Sequence, residues 1–372
     1  MTLQWSIGLM TGTVNDGYID IAALRTDGSK IVEFGPFELF PYEDKEIKKL
    51  IFKTYEEAKK WNFEGPEPNI FSITEKKISD EQSLAVEKFI NKYRLKKNDI
   101  ACVGFHGLTV LHKPANLNSK LGKTRQLGNG QIMSNYLKLP VINDFRTNDI
   151  VHGGQGAPLA PIYHLALSKF IEEKNLVFLN IGGVSNITYV GEHDDIISLD
   201  CGPGNAPIDD FVRYHNKGSM DQDGKFAKLG TVNYDLVNEF MNNNFFSIPY
   251  PKSLDRDTFN FDNIYKLSLE DGCATMAKIV SLGISKALQL LPKQPSKILA
   301  SGGGRKNLTI MNEVALETMI ECKNIGDYGL RGDAIEAEAF AFLAIRSLNK
   351  LPLSFPSTTG VKHPVSGGIL NI

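Results

Sequence analysis

The sequence predicts an α/β protein with mixed sheets, organised in two lobes. Three observations predict it. Short apolar runs alternate with stretches of helical periodicity along the 372 residues. Two apolar runs, LQWSIGLM and LVFLN, enter glycine-rich turns (residues 11–17 and 181–186) that lead directly into second strands, YIDIAAL and ITYV. A third run, SKILA, enters residues 301–307, where three glycines stand in succession.

Taken in order, residues 3–24 read as a hairpin and 31–40 as a further strand. Residues 42–60 and 73–95 carry helical periodicity with lysine-rich outer faces. Between them WNFEGPEPN reads as a loop, because a glycine and two prolines interrupt it. IACVGFHG is a short buried strand ending at His106-Gly107, and LPVINDF is another, ending at Asp144-Phe145-Arg146. The dense turn segment 152–161 leads to a helix around 163–173. The second lobe opens with strand LVFLNIGG and continues with DIISLD, which enters Asp200-Cys201-Gly202-Pro203-Gly204-Asn205. Helices are expected over 206–217, 232–242, 270–291 and 308–318. The last begins near Asp333, where Asp333 and Glu336 form a capping-box pattern.

Composition excludes several classes. A net charge of -2 argues against a nucleic-acid protein, which would carry a basic stripe. No apolar run reaches membrane-spanning length. The N-terminus lacks the basic region and cleavage site of a signal peptide and reads as a core strand. Cys102, Cys201, Cys273 and Cys322 form no C-x-x-C pair and no zinc spacing with histidine, so free thiols in a reduced cytoplasm are expected.

The chemistry-bearing residues lie at the turns. Glycine lets backbone N–H groups approach an anion closely, so three such turns point to a nucleotide held between two lobes and to ATP-dependent phosphotransfer. Asp16 sits in the first turn with Thr13 and Asn15. It either serves a magnesium ion, which takes oxygen ligands, or stabilises its own turn. Asp144, Arg146 and Asp149 either form a structural ion pair or position a polar substrate. Asp200 ends an apolar strand at a rigid glycine–proline turn, where a proton acceptor for a hydroxyl substrate would stand; the alternative is a turn-stabilising carboxylate. His106 and His112 are structural or pocket-lining. Residues 251–260, P-K-S-L-D-R-D-T-F-N, offer several phosphate-competent groups or a solvated loop.

These residues resemble the anhydro-N-acetylmuramic acid kinase family, within the sugar kinase, Hsp70 and actin superfamily. The likeness runs over nearly the whole chain. It rests on G-L-M-T-G-T-V-N-D-G (8–17), G-F-H-G-L-T-V-L-H-K-P (104–114), Q-L-G-N-G (126–130), D-F-R-T-N-D-I-V-H-G-G-Q-G-A-P-L (144–159) and L-N-I-G-G-V-S-N-I-T (179–188). It continues through D-C-G-P-G-N (200–205), the 251–260 segment, S-G-G-G-R-K-N (301–307), E-A-E-A-F-A-F-L-A (336–344) and T-G-V (359–361).

The resemblance implies an actin-like ATPase fold of two ribonuclease H-like lobes around a central cleft. The expected lobes are 1–142 plus 352–372, and 143–351. ATP with magnesium would lie against Gly12, Thr13, Val14, Asn15, Asp16 and Gly17, against Gly182, Gly183 and Asn186, and against Gly302, Gly303, Gly304 and Asn307. Asp16 would face the magnesium ion. The sugar would sit near His106, Gln126, Asp144, Arg146, Asp149, Gly202 and Asn205. Asp200 would be the general base that activates water against the anomeric carbon, the logic of an inverting glycosidase. The freed sixth oxygen would then take the γ-phosphate. Expected partners are ATP and a small anhydrosugar, with a homodimeric assembly left open.

The chain departs from the family pattern at Val14 (usually serine), Leu108 (usually glutamine) and Asn129 (usually aspartate), which bears on the identity of the sugar. A kinase of another anhydrosugar, such as levoglucosan, is the near alternative. A non-enzymatic nucleotide-binding sugar sensor is the alternative of another class, and sugar binding without turnover would distinguish it.

Overall fold

In the computed structural model, which describes residues 3–11, 17–114, 121–254 and 258–372, the chain divides into two units. One comprises Met1–Phe170 with Ala334–Ile372, the other Ile171–Asp333.

The first unit begins with β1 (Gln4–Met10), β2 (Tyr18–Thr26) and β3 (Ile31–Pro41), an antiparallel meander. Two helices follow, α1 (Ile47–Trp61) and α2 (Asn69–Lys92). The break between them falls at the glycine–proline segment: Asn62 takes φ 51 and its N–H closes on the Ala58 carbonyl. Then come β4 (Ile100–Phe105), the antiparallel ribbon of β5 (Leu108–Lys113) and β6 (Lys123–Leu127), α3 (Gly130–Leu137), β7 (Val141–Asn143), α4 (Thr147–Val151) and α5 (Pro161–Phe170).

The second unit holds β8 (Leu176–Ile181), β9 (Val184–Val190), β10 (Ile196–Pro203), α6 (Ala206–Tyr214), α7 (Lys225–Leu229) and α8 (Tyr234–Met241). It continues with α9 (Leu269–Leu288), β11 (Lys297–Ser301), α10 (Leu308–Thr318) and β12 (Glu321–Asn324). The side chains of Ser268 and Asn307 cap α9 and α10. The chain returns to the first unit as α11 (Ile335–Leu348) and β13 (Ile369–Asn371).

The two sheets share one plan. The first runs β13-β7-β4-β1-β2-β3, the second β10-β9-β8-β11-β12. In each, three antiparallel strands come first in the chain, and two later strands add in parallel beside the first of them. The mixed α/β architecture with two lobes is thus present, and the lobes are alike in topology.

The units divide at 170/171 and 333/334, whereas the expected lobes divide at 142/143 and 351/352. Packing explains the difference. α11 lies on β1, β2 and β4. Gly8 and Gly104 pair across those strands. A Cβ on Gly8 would fall 2.0 Å from the Ala337 carbonyl oxygen, and one on Gly104 would fall 2.2 Å from that of Phe340. Helix and sheet therefore meet at backbone distance, with Ala337, Ala341 and Ala344 toward the strands. At the other boundary α5 stays with β3 through the edge-on pair Phe34–Phe170, at 4.9 Å.

The expected capping box at the start of α11 does not form. Ala334 is the N-cap and no side chain caps the helix. Asp333 is instead held by Arg305 and Lys306, a charge-assisted pairing that competes with a cap. All four cysteines are free. Among the described residues no helix is long and apolar enough to cross a membrane.

Candidate active site

In the second unit the ends of β8, β10 and β11 come to one edge of the sheet, the carboxyl ends of strands running in the same sense. Ligands of open α/β sheets bind at such an edge. The main chain knits the turns there. The Gly204 N–H donates to the Gly183 carbonyl (3.1 Å), and the Asn205 N–H donates to that of Gly182 (2.8 Å). Gly302 has φ +75, and a Cβ there would fall 2.3 Å from Asn180 Oδ1. Only glycine fits. Gly303 is different, since a Cβ on it would meet nothing within 4 Å. Gly182 is similar, with no contact nearer than 3.7 Å. The fold does not require glycine at these two positions. The Gly182 N–H itself donates to the Val184 carbonyl (3.2 Å), whereas bare backbone at a position such as Gly303 lets an anion approach closely.

Asp200 stands in β10 opposite Asn186 of β9, just before the pairing register shifts between Asp200 and Gly202. A bulge at that point re-aims the side chain. The Asp200 N–H donates to the Lys252 carbonyl (3.0 Å), and Oδ2 accepts the Leu254 N–H (2.6 Å). Burial pushes the Asp200 carboxyl up to about 7, against the opposing pull of the Leu254 N–H and the Lys252 ammonium. A carboxyl poised near neutral pH is matched to general-base work.

Asn205 is held by its own helix: Nδ2 donates to Asp209 Oδ2 at 2.9 Å. Its Oδ1 is buried and has no partner among the described residues. Asn307 is buried, and its Oδ1 accepts the Ile310 N–H (3.1 Å) to cap α10.

In the first unit the parallel strands β1, β4 and β7 likewise carry their candidates at their carboxyl ends. Gly12, Thr13, Val14, Asn15 and Asp16 lie outside the described residues. Gly17 has φ +90, and its carbonyl accepts the Tyr42 N–H (3.1 Å). After β4, His106 is buried and placed against Arg146, which follows β7. His106 Nδ1 donates to the Gly107 carbonyl (2.9 Å), which leaves Nε2 to accept from Arg146 Nε (3.1 Å) and Nη2 (3.0 Å). Burial, then the Arg146 charge, lower the His106 pKa to about 3, so the ring is neutral.

Arg146 Nη1 donates to the Gly156 carbonyl (2.7 Å). Asp149 is buried, and its two oxygens accept the Gly156 N–H (2.6 Å) and the Thr359 hydroxyl (2.6 Å). Asp144, at φ 52, accepts the Thr147 N–H (3.2 Å). The arginine's donors thus go to His106 and Gly156. Asp149 holds the glycine-rich 152–161 segment in shape, and Arg146 is anchored on that segment. Gln126 lies in the β5–β6 ribbon, donating to Thr124 Oγ1 (2.7 Å) and Thr109 Oγ1 (3.3 Å). His112 Nδ1 shares Thr124 Oγ1 at 3.0 Å.

Three participants escaped the sequence reading. Thr359, in the T-G-V motif, secures Asp149. Glu336, read as a capping residue, acts electrostatically on Arg146 and opposes the lowering of its pKa to about 10 by burial. Lys252, in P-K-S, is buried beside Asp200. The motifs containing them were the available signal. Of the departures from the family pattern, Leu108 is a buried member of the core and Asn129 caps α3 through its Oδ1. An aspartate would cap about as well.

A family model described as anhydro-N-acetylmuramic acid kinase matches residues 4–371. The chain belongs to the anhydro-N-acetylmuramic acid kinase family. An anhydro-N-acetylmuramic acid kinase of Rhizobium rhizogenes is 47% identical over 369 residues, covering 98% of each chain. One of Brucella anthropi is 47% identical over 367 residues, again with 98% of each covered. One of Agrobacterium fabrum is 41% identical over 374 residues, covering 99% of this chain and 98% of its own. The family is one of phosphotransferases. In the second unit the glycine turns lie at the carboxyl edge of the sheet, with the Asp200 carboxyl beside them.

Proposed function

We propose that this protein is an ATP-dependent kinase that opens the 1,6-anhydro ring of anhydro-N-acetylmuramic acid and phosphorylates the freed 6-oxygen, giving N-acetylmuramic acid 6-phosphate for cell-wall recycling. The observation that carries the reading is Asp200: a carboxyl near pKa 7 at a bulged strand end, adjoining backbone that leaves room for phosphate. Asp200 takes a proton from water as the water oxygen bonds to the anomeric carbon. The bond from that carbon to the bridging oxygen breaks. The freed 6-oxygen attacks the γ-phosphorus in line, and ADP leaves.

The bare backbone at Gly303, with the open space beside Gly182, is the part that fits ATP phosphates. Magnesium bound with ATP would neutralise charge on the phosphates, and Asp16 is the carboxylate proposed to serve it. His106 and Arg146 hold a rigid polar surface for the sugar, with Asp144, Asp149 and Gln126 supporting it. The charge of Arg146, held in place by neutral His106, suits a substrate that carries a carboxylate. The protein acts in the cytoplasm on small molecules.

Turnover in oxygen-18 water tests the chemistry. The product, taken early because free anomeric hydroxyls exchange with water, is expected to carry label at the anomeric hydroxyl and none in the phosphate ester oxygen. Phosphorylation without anomeric label, or only of sugars already open, overturns the coupled ring opening.

A further inference from the structure

The segment 251–260 has no part in the chemistry above, yet it meets Asp200 from two sides. The Lys252 carbonyl accepts the Asp200 N–H, and the Leu254 N–H reaches Asp200 Oδ2. Between these two bonds the Lys252 side chain turns inward and is only 5% exposed. Lysine is rarely so buried unless something compensates its charge. Its Nζ donates to the Phe245 carbonyl (2.9 Å) and stands 4.3 Å from the centre of the Phe245 ring. A carbonyl and a ring face are partial compensation for a full charge. Burial lowers the Lys252 pKa, and the carboxylate that acts electrostatically against this is Asp200.

We propose that Lys252 is a positioning residue for the Asp200 base: its carbonyl holds the Asp200 backbone N–H, next to the Leu254 N–H that holds the carboxylate, and its buried ammonium places a positive charge beside that carboxylate. This rests on the reading of Asp200 as the base. The groups facing the Asp200 carboxyl among the described residues support the assignment. On β10 itself the neighbour is Cys201, a thiol that burial keeps protonated. α9, packed behind β10, brings Gly283 against the Cys201 carbonyl. The remaining two influences, the Leu254 N–H and the Lys252 ammonium, both come from the 252–254 stretch and both favour the ionised carboxylate. Without the ammonium, burial would act with one opponent fewer, and the carboxyl would hold its proton to higher pH.

The test compares pH profiles of kcat/KM for the wild type, Lys252→Met, Lys252→Arg and Asp200→Asn. The acid limb of the profile reports the ionisation of the base. Lys252→Met is expected to move this limb up by about one pH unit or more, so that activity at pH 6 falls roughly tenfold relative to activity at the plateau. Lys252→Arg, which keeps the charge, is expected to restore the limb to within a few tenths of a unit. A role confined to packing would lower the amount of folded enzyme and leave the limb where it is. An unmoved limb in folded Lys252→Met therefore overturns the proposal, as does an equal displacement in Lys252→Arg. If the methionine variant does not fold, Lys252→Gln, which keeps a donor for the Phe245 carbonyl without the charge, carries the same comparison. Asp200→Asn separates the two ideas. Near-normal turnover in that variant removes the base itself, whereas its inactivity with an unmoved limb in the Lys252 variants removes only the role of Lys252.

Discussion

Replacing Asp200 with asparagine is expected to abolish turnover and to stabilise the fold. The carboxyl titrates near 7 in the folded chain against a reference of 3.8. Well below pH 3.8 it is protonated in both folded and unfolded chains and contributes nothing. As pH rises toward 7 the unfolded chain ionises freely and the folded one does not, so stability is lost across that window. Above it the penalty is complete. Roughly three pH units at about 1.4 kcal/mol each set a ceiling near ~4 kcal/mol. Asp200 keeps partial access to solvent, so about 1–3 kcal/mol is the reasonable expectation. For a domain of this size that is roughly 3–10 °C in Tm at pH 8, falling to about two-fifths of that at pH 5. Asparagine keeps an oxygen for the Leu254 N–H, so the main-chain clamp survives. Turnover should fall by about 10²-fold or more for want of the base. Thermal melts at the two pH values, alongside a coupled ADP assay, measure both effects. Near-wild-type turnover would remove Asp200 from the chemistry, and a Tm gain equal at both pH values would refute the titration argument.

The other predictions concern the nucleotide. Asp16→Ala should impair magnesium-dependent use of ATP more than sugar binding; calorimetry with each ligand decides, and intact ATP binding with weakened sugar binding reverses the assignment. Gly303→Ala and Gly302→Ala should part company. The first places a methyl in open space, so it keeps normal stability but weakens ATP binding about tenfold or more. The second forces a Cβ against Asn180 at positive φ and should lose about 1–3 kcal/mol of stability in urea melts. Unchanged ATP affinity in Gly303→Ala would mean that the phosphates lie elsewhere.

What the sequence determined by itself is local chemistry. A glycine at Gly302 or a carboxylate at the end of an apolar strand is written in a few consecutive residues, and so are most helix limits; 308–318 coincides with α10. The short helices α3, α4 and α7 were missed, because five to eight residues carry too little periodicity to register. The common plan of the two sheets was also illegible. Strand order and sense depend on which apolar faces find each other, and many unrelated residues satisfy the same pattern, so no repeat shows in the letters. Long-range partnership was decided by tertiary structure alone. Asp149 bonds a threonine 210 positions away. Arg146 turns to His106 rather than to the carboxylates beside it in sequence. The capping pattern at Asp333 gave way to Arg305. Lys252 was legible only as part of a polar loop, phosphate-competent or solvated, until packing enclosed it. In each case local propensity proposes a partner worth about 1 kcal/mol, and the geometry of a closed core, where leaving a buried polar group unpaired costs more, decides which partner is taken.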